Sequence, residues 1–256
     1  MSWPFDTSEP YITPARGTEW QRLRHGLTPE EWKLPPTLVA TFQKAAYRRL
    51  LERADVDAQS SGDRTTGEVD GVPRALARIS IGAPAAALLL EDSIERGVRN
   101  ILVVGAAGSL QPHLPIGSTV VVTGAEREDG TSHHYLPAGE VVSADLELTA
   151  TLAECSVARR AEPVRGRSWT IDAPYRETVG AIRRHREAGV AVVEMEAAAI
   201  FAVARVRGVR AALIVAVSDE LFGHEWKVGF GHDAYLHSLV RAANAAIDAA
   251  QKFMPA

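Results

Sequence analysis

The strongest constraint on the fold is the alternation of short, wholly apolar runs with longer segments of helical periodicity. Residues 101–104 (ILVV) and 212–217 (ALIVAV) contain no polar position. Strands of this kind are covered on both faces, as in a sheet flanked by helices. The segment 195–206 (MEAAAIFAVARV) is apolar nearly all round and indicates a central, buried helix. We therefore predict an α/β fold built on a mixed sheet.

The 256 residues fit one such domain preceded by an arm. Residues 1–36 are rich in proline, tryptophan and charge, which predicts an irregular arm packed on the domain or on a neighbouring subunit. Residues 37–256 show neither an internal repeat nor a linker, so we predict a single domain there. Within it, residues 59–68 and 105–110 are predicted loops, and Asp70-Gly71 a hairpin turn.

Composition excludes several classes of function. A formal net charge of -4 provides no general basic field for nucleic acid, and the apolar runs are too short to span a bilayer. A single cysteine, Cys155, excludes a disulfide framework and a multi-cysteine zinc site, and no metal or redox cofactor is expected. The first ten residues have neither the charged nor the apolar part of a secretory signal, so we expect a cytoplasmic protein.

Three predicted strands end in residues suited to binding or catalysis. Functional groups of α/β sheets collect at such ends. The GAAGS segment at residues 105–109 can bring backbone N–H groups close to a ligand, although such segments more often serve close packing. Glu194 and Glu196 flank the start of the buried helix, either facing its dipole or serving a ligand. Asp219 follows the ALIVAV run, either as a cap or as a general acid.

These three strand ends, in this order, resemble the nucleoside phosphorylase-I family, which includes uridine phosphorylase, hexameric purine nucleoside phosphorylase and methylthioadenosine nucleosidase. The likeness covers residues 79–222 and rests on the blocks IGAPAAALLLE, VVGAAGSLQPHLPIGSTVVVTGA, DGTSHHYLP, DAPYRET, VVEMEAAAIFAVA and AVSDE. The family fold implies one α/β domain around a twisted mixed sheet, or distorted barrel, flanked by helices. It also implies a dimer-based homo-oligomer, up to a hexamer.

The resemblance implies roles for four residues around the glycosidic bond. Met195 and Glu196 match the pair that holds the ribose, the carboxylate accepting from the 2′ and 3′ hydroxyls. Charge-assisted bonds of this kind favour an electron-poor transition state. Glu194 matches a second carboxylate near the sugar. Asp219 matches the acid that protonates or hydrogen-bonds purine N7 and so improves the leaving group.

Four further substrate contacts are implied less directly. Tyr175, in the DAPYRET block, falls where the family places an aromatic ring over the base or sugar. Arg176 beside it is placed to meet a base carbonyl, and Gly108 belongs to the glycine segment that lies against the substrate. His25, with a one-residue shift, resembles the histidine that reaches a neighbouring subunit's ribose 5′-hydroxyl.

The phosphate site departs from the family pattern. The Gly-Asp-Pro-x-x-Arg loop expected after the first strand is absent from residues 42–46. Val103 stands in place of an arginine and Ala106 in place of a serine or threonine. Neither side chain can hydrogen-bond a dianion. The remaining candidates are the backbone amides of Gly82 and Gly105, and Arg64 contributed across a dimer.

Three functions are therefore carried forward. The first is a nucleoside phosphorylase, with inorganic phosphate as co-substrate and purine favoured over pyrimidine. The second is a nucleosidase that uses water, because the phosphate-binding side chains are replaced. The third is a nucleoside-binding protein without catalytic activity. In each case the ligand is a small-molecule nucleoside rather than a nucleic acid or a membrane.

Overall fold

The computed structural model describes residues 5–57 and 64–253 of the chain. The strands in these ranges are β1 (Thr37–Thr41), β2 (Arg64–Val69), β3 (Val72–Arg78), β4 (Asn100–Ser109), β5 (Thr119–Glu128), β6 (Val142–Ser143), β7 (Val164–Ile171), β8 (Val192–Glu194), β9 (Arg210–Glu220) and β10 (Lys227–Val228). The α-helices are α1 (Pro14–Arg24), α2 (Pro29–Trp32), α3 (Lys44–Arg53), α4 (Ala83–Glu95), α5 (Leu146–Ala158), α6 (Val179–Glu187), α7 (Ala197–Arg207) and α8 (Asp233–Lys252).

The strands form one mixed sheet, part of which closes into a barrel. The order is β10-β9-β5-β7-β8-β4-β1-β3-β2, and β9 pairs with β4 as well as with β5. Strands β9, β5, β7, β8 and β4 therefore make a closed ring, from which β1, β3 and β2 extend. The pairings of β4 with β1 and β9 are parallel, whereas β8 runs antiparallel to β4. This confirms the predicted mixed α/β fold with a distorted barrel.

The wholly apolar runs are explained by two cores on opposite faces of the same strands. Ile101 and Val103 of β4 belong to a core that includes α4 and α7. Leu102 and Val104 belong to another, which includes α3, α5 and α8. Successive side chains of a strand point to opposite faces, so a strand covered on both sides needs apolar residues at every position. Helix α7 is buried from Ala197 to Ala204, as expected for a central helix.

Several local predictions are wrong. Within residues 5–36 the arm is not irregular throughout, because it contains α1 and α2, which Thr13 and Thr28 cap through side-chain hydrogen bonds to backbone N–H groups. The domain boundary at residue 36 stays a prediction. The Asp70-Gly71 hairpin is confirmed, but the described part of the preceding polar segment is strand β2, beginning at Arg64, and not a loop. Residues 59–63 of that segment lie outside the described residues.

The GAAGS segment is also a strand rather than a loop. It forms the last half of β4 and pairs with both β9 and β8. The register between β4 and β9 shifts between Ala107 and Gly108, as at a β-bulge. A Cβ atom built on Gly105 would lie 3.3 Å from Val215 Cγ1, so the glycine permits close packing there. This favours the packing interpretation for the first glycine of the segment.

Candidate functional site

A cavity of about 600 Å³ opens where β4, β8 and β9 end, which is within the range of small-molecule sites. Two further segments, residues 174–182 and 221–230, complete its wall. The lining residues are Phe42, Gln43, Ile81, Ala106, Ala107, Gly108, Pro174, Tyr175, Glu177, Val179, Ile182, Val193, Glu194, Met195, Glu196, Ser218, Asp219, Leu221, Gly223, His224, Glu225, Trp226 and Phe230. The cavity thus brings together the three strand ends singled out in the sequence.

Glu194 caps the central helix from inside the cavity wall. Its Oε2 accepts the backbone N–H groups of Glu196 at 2.7 Å and Ala197 at 2.6 Å, and its Oε1 accepts the Thr170 hydroxyl at 2.5 Å. Burial raises the pKa of Glu194, and these hydrogen bonds oppose the rise. The interpretation of a carboxylate facing the helix dipole therefore accounts for this residue. Its predicted contact with the sugar stays a prediction.

The side chain of Glu196 does not cap α7 and is directed toward the neighbouring α4. Its Oε1 accepts the backbone N–H of Gly82, which immediately precedes α4, at 2.6 Å. Gly82 has φ +110°, a conformation that L side chains rarely adopt. Burial, reinforced by the charge of Glu194, raises the pKa of Glu196 to about 8. The cavity wall therefore holds a carboxyl group that is poorly solvated and can gain from a hydrogen-bond donor.

Asp219 lies within β9 and is not a cap for the next segment. Its backbone is paired with Val228 of β10. Its Oδ1 accepts the Ser218 hydroxyl at 2.7 Å and its Oδ2 accepts the Trp226 indole N–H at 2.8 Å. Both of its carboxyl oxygens therefore already accept hydrogen bonds. For the predicted role as an acid, Asp219 has to take up a proton and share or release the Trp226 hydrogen bond.

Glu177 is a cavity residue that the sequence interpretation missed. It follows the short 3-10 helix Pro174–Arg176 and is half-buried. Burial, and secondarily the charge of Asp219, raises the pKa of Glu177 to about 7. Its place in the DAPYRET block, two positions after the predicted aromatic, was the only signal in the sequence. Trp226 and Phe230, both exposed at the cavity mouth, were missed as well.

Three residues that were predicted to contact the substrate, Tyr175, Arg176 and His25, differ in where they lie relative to the cavity. Tyr175 lines the cavity but is 98% exposed, at its rim. Arg176 is exposed and is not among the lining residues. His25 is exposed on the arm and stacks on Trp32, away from the cavity of its own chain. A contact of His25 with a neighbouring subunit stays a prediction.

The groups predicted to bind phosphate either bond to other groups of this chain or do not line the cavity. The Gly82 N–H is taken by Glu196, and Gly105 is not a lining residue, although Gly108 is. Arg64 forms an ion pair with Asp92 of α4, and burial, with a contribution from Arg96, lowers its pKa to about 10. Use of Arg64 across a dimer stays a prediction.

The charged residues that line the cavity are acidic. Across residues 5–57 and 64–253, the lining includes Glu177, Glu194, Glu196, Asp219 and Glu225 but neither lysine nor arginine. Residues 1–4, 58–63 and 254–256, which lie outside these ranges, contain no lysine or arginine. In the same described ranges, no group of three or more His, Cys, Asp or Glu residues is arranged to hold a metal ion. None of the described helices is long and apolar enough to cross a membrane.

A closed α/β barrel with a carboxylate-lined cavity at its strand ends defines a small-molecule site, and comparison with known proteins identifies the family. The chain belongs to the phosphorylase superfamily, whose family model matches residues 28–253. The predicted resemblance to nucleoside phosphorylases is thereby confirmed.

Curated proteins that are similar in sequence to this chain are named uridine phosphorylase or guanosine phosphorylase. The chain is 28% identical over 165 residues to uridine phosphorylase of Haemophilus influenzae, covering 59% of this chain and 66% of the relative. It is 33% identical over 152 residues to guanosine phosphorylase of Halorubrum lacusprofundi, covering 59% and 63%. It is 30% identical over 196 residues to uridine phosphorylase of Treponema pallidum, covering 72% and 74%. The chain thus spans just under two thirds of the length of the first two relatives.

Proposed function

We propose that the protein cleaves the N-glycosidic bond of a nucleoside, purine in preference to pyrimidine, with inorganic phosphate as the nucleophile. The observation that carries this proposal is the buried Glu196 carboxyl at the cavity wall, next to Met195 and beside the helix cap Glu194. The names of the relatives, uridine and guanosine phosphorylase, support the choice of reaction.

In this proposal Glu196 holds the sugar. A ribose presents two neighbouring hydroxyls, each able to donate a hydrogen bond to a carboxylate oxygen. Such charge-assisted bonds are stronger than neutral ones, and they relieve the poor solvation of the buried carboxyl. As the glycosidic bond breaks, positive charge develops on the sugar ring. A fixed carboxylate nearby stabilises that charge more than it stabilises the neutral substrate.

Asp219 acts on the leaving base. A Cβ atom on Gly108 would approach Leu221 Cδ1 to 2.3 Å and Asp219 Oδ2 to 3.1 Å. The glycine therefore lets the Asp219 carboxyl lie close to β4 at the cavity wall. A proton placed on Asp219 and shared with the purine N7 would make the base a better leaving group.

The second candidate for the nucleophile is water, which would hydrolyse the glycosidic bond. The specific observation in its favour is that the described cavity wall carries five carboxyl side chains and no lysine or arginine. A phosphate dianion placed among these groups needs compensating positive charge. In the phosphorolytic proposal this charge comes from Arg64 of a neighbouring subunit, released from Asp92. A neutral water needs no such charge.

The test is base release from a panel of nucleosides, with and without inorganic phosphate. Phosphate-dependent release, with a sugar 1-phosphate as product, is the result expected for phosphorolysis. Release at the same rate without phosphate, giving the free sugar, establishes hydrolysis instead. The Glu196→Gln variant should lose activity in either case, while Glu154→Gln, an exposed carboxylate of α5, should not. Thermal stabilisation by a nucleoside without any base release would contradict both reactions.

A further inference from the structure

Helix α6 forms part of the cavity wall, although little of the helix is buried. Val179 and Ile182 of this helix line the cavity. Of its nine residues, only Ala181 and His185 are buried. A helix this short is marginal in water by itself, and the methyl group of an alanine buries little apolar surface. The attachment of this wall to the barrel therefore depends on His185 and on polar contacts.

His185 joins α6 to two strands of the barrel. Its ring stacks on Trp169 of β7, with the ring centroids 4.3 Å apart and an angle of 20° between the planes. Its Nε2 lies 3.1 Å from Glu128 Oε1, and the Trp169 indole N–H donates to Glu128 Oε2 at 3.0 Å. Because a carboxylate accepts hydrogen bonds and does not donate them, the imidazole donates through Nε2. One carboxylate at the end of β5 thus holds both rings.

The neighbouring Arg184 adds little to this attachment. Its Nη2 lies 3.5 Å from the same Glu128 oxygen, but its side chain is largely exposed, and exposed ion pairs contribute little. Trp169, by contrast, is wholly buried, and a buried indole N–H without an acceptor is costly. Trp169 therefore fixes Glu128 in place, and the other carboxylate oxygen is available to His185.

Helix α6 is also connected to the second wall segment, residues 221–230. Arg186 Nη1 donates to the carbonyl oxygen of Phe222 at 3.0 Å. Ile182 of α6 and Leu221 pack against the same small core. Both of these side chains also line the cavity. A displacement of α6 is therefore transmitted to residues 221–230.

We infer that His185 is a positioning residue for the cavity. By attaching α6 to Trp169 and Glu128, it sets the position of both wall segments, residues 174–182 and 221–230, and hence the fit of the cavity around its ligand. His185 does not line the cavity, so it acts only through these segments. The inference applies to the ligand-free protein, and only its kinetic test rests on the proposed function.

Hydrogen–deuterium exchange of the ligand-free protein, followed by mass spectrometry, tests the attachment directly. His185→Phe keeps a ring on Trp169 but removes the donor to Glu128. We expect amide exchange in α6 and residues 221–230 to accelerate by roughly fivefold, the effect of losing one hydrogen bond, while β4 keeps its wild-type rate. Glu128→Gln should exchange like wild type, because its carbonyl oxygen accepts from Trp169 and its amide can donate to the imidazole. The matched control is His237→Phe, which replaces an exposed histidine of α8.

Kinetics and calorimetry with guanosine and uridine on the same variants show whether the position of the wall affects the ligand. A wall that contacts the ligand equally in the ground and transition states affects KM, so His185→Phe should raise KM and Kd by about threefold to tenfold and leave kcat within about twofold. A fall in kcat at unchanged KM overturns the inference. Exchange that is unchanged in α6, or that accelerates equally in β4, also overturns it. If the wild-type protein binds neither nucleoside, the proposed function fails, and the exchange rates alone confirm or overturn the role of His185.

Discussion

Replacing Glu196 by glutamine should stabilise the empty protein while it abolishes ribose binding. The pKa of Glu196 is about 8, against an ordinary value of 4.5, so the folded state holds a proton that the unfolded chain has released. Because the folded pKa is raised, the associated stability is fully present below pH 4.5. It is lost as the pH rises toward 8. Glutamine cannot ionise and keeps an oxygen to accept the Gly82 N–H, so it escapes this loss.

The size of the stability difference follows from the difference between the ordinary pKa of glutamate and the pH of the measurement. Each unit corresponds to about 1.4 kcal/mol, so raising the pH from 4.5 to 7 costs the wild-type protein about 3 kcal/mol at Glu196. A change of 1 kcal/mol shifts the melting temperature of a protein of this size by roughly 2–4 °C. We therefore expect Glu196→Gln to melt roughly 6–12 °C above wild type at pH 7. At pH 4.5 the difference should shrink to about a quarter or less of that value.

Differential scanning calorimetry of ligand-free protein at the two pH values makes the measurement. Glu194→Gln is the matched control, because its carboxylate accepts two backbone N–H groups and a hydroxyl. An amide offers one acceptor fewer there, so this variant should be destabilised by about 1–3 kcal/mol at pH 7. If Glu196→Gln melts at or below the wild-type temperature at pH 7, or gains equally at both pH values, the reasoning from desolvation is refuted.

Three other predictions concern the same cavity. Nucleoside affinity, followed by calorimetry, should rise as the pH approaches 8, by up to about tenfold per unit, because the ribose hydroxyls bind the ionised Glu196; a flat profile would contradict the diol contact. Asp219→Ala should lower kcat by about a hundredfold or more with a much smaller change in substrate binding, and equal activity would exclude its acid role. Gly108→Val should lower kcat/KM at least tenfold and destabilise the fold by about 1–3 kcal/mol, because the new side chain would collide with Leu221 and Val193; unfolding curves and kinetics together check this.

The parts of the fold that could be predicted are those in which burial alone determines the residue type. Strands β4 and β9 were evident because both of their faces meet apolar cores, so every position in residues 101–104 and 212–217 is apolar. Helix α7 was evident for the same reason. The sequence did not distinguish Glu194 from Glu196 at the start of α7, where only the side chain of Glu194 caps the helix.

The sequence did not predict strand β7 or the second half of β4, because burial alone does not determine their residue types. Strand β7, VRGRSWTI, is exposed over its first half, where arginine and glycine are tolerated. Its glycine, Gly166, faces Ala191, and a Cβ atom there would approach that side chain to 2.6 Å. The second half of β4 resembled a loop because the barrel needs small residues at the bulge. Such requirements come from neighbouring strands that are distant in sequence, so a local pattern cannot show them.

Glu177 could not be found in this way because no periodicity constrains a residue after a short 3-10 turn. Its environment depends on Asp219, 42 positions later in the chain, and on the aromatic segment that follows β9. The three carboxylates that were identified share a different property, since each one lies at, or within two residues of, the end of an apolar strand. A carboxylate on a loop becomes recognisable only when the walls around it are known.

The residues that line the cavity lie partly on core elements and partly on surface segments, and this difference has an evolutionary consequence. Glu194 and Glu196 are fixed by a barrel strand and a fully buried helix, where most substitutions disturb the core. Glu177, Trp226 and Phe230 lie on surface segments, where insertions and exchanges are tolerated. Under the proposed function, descendants of such a chain can therefore change their base specificity by altering these segments, while they keep the carboxylates assigned to the sugar.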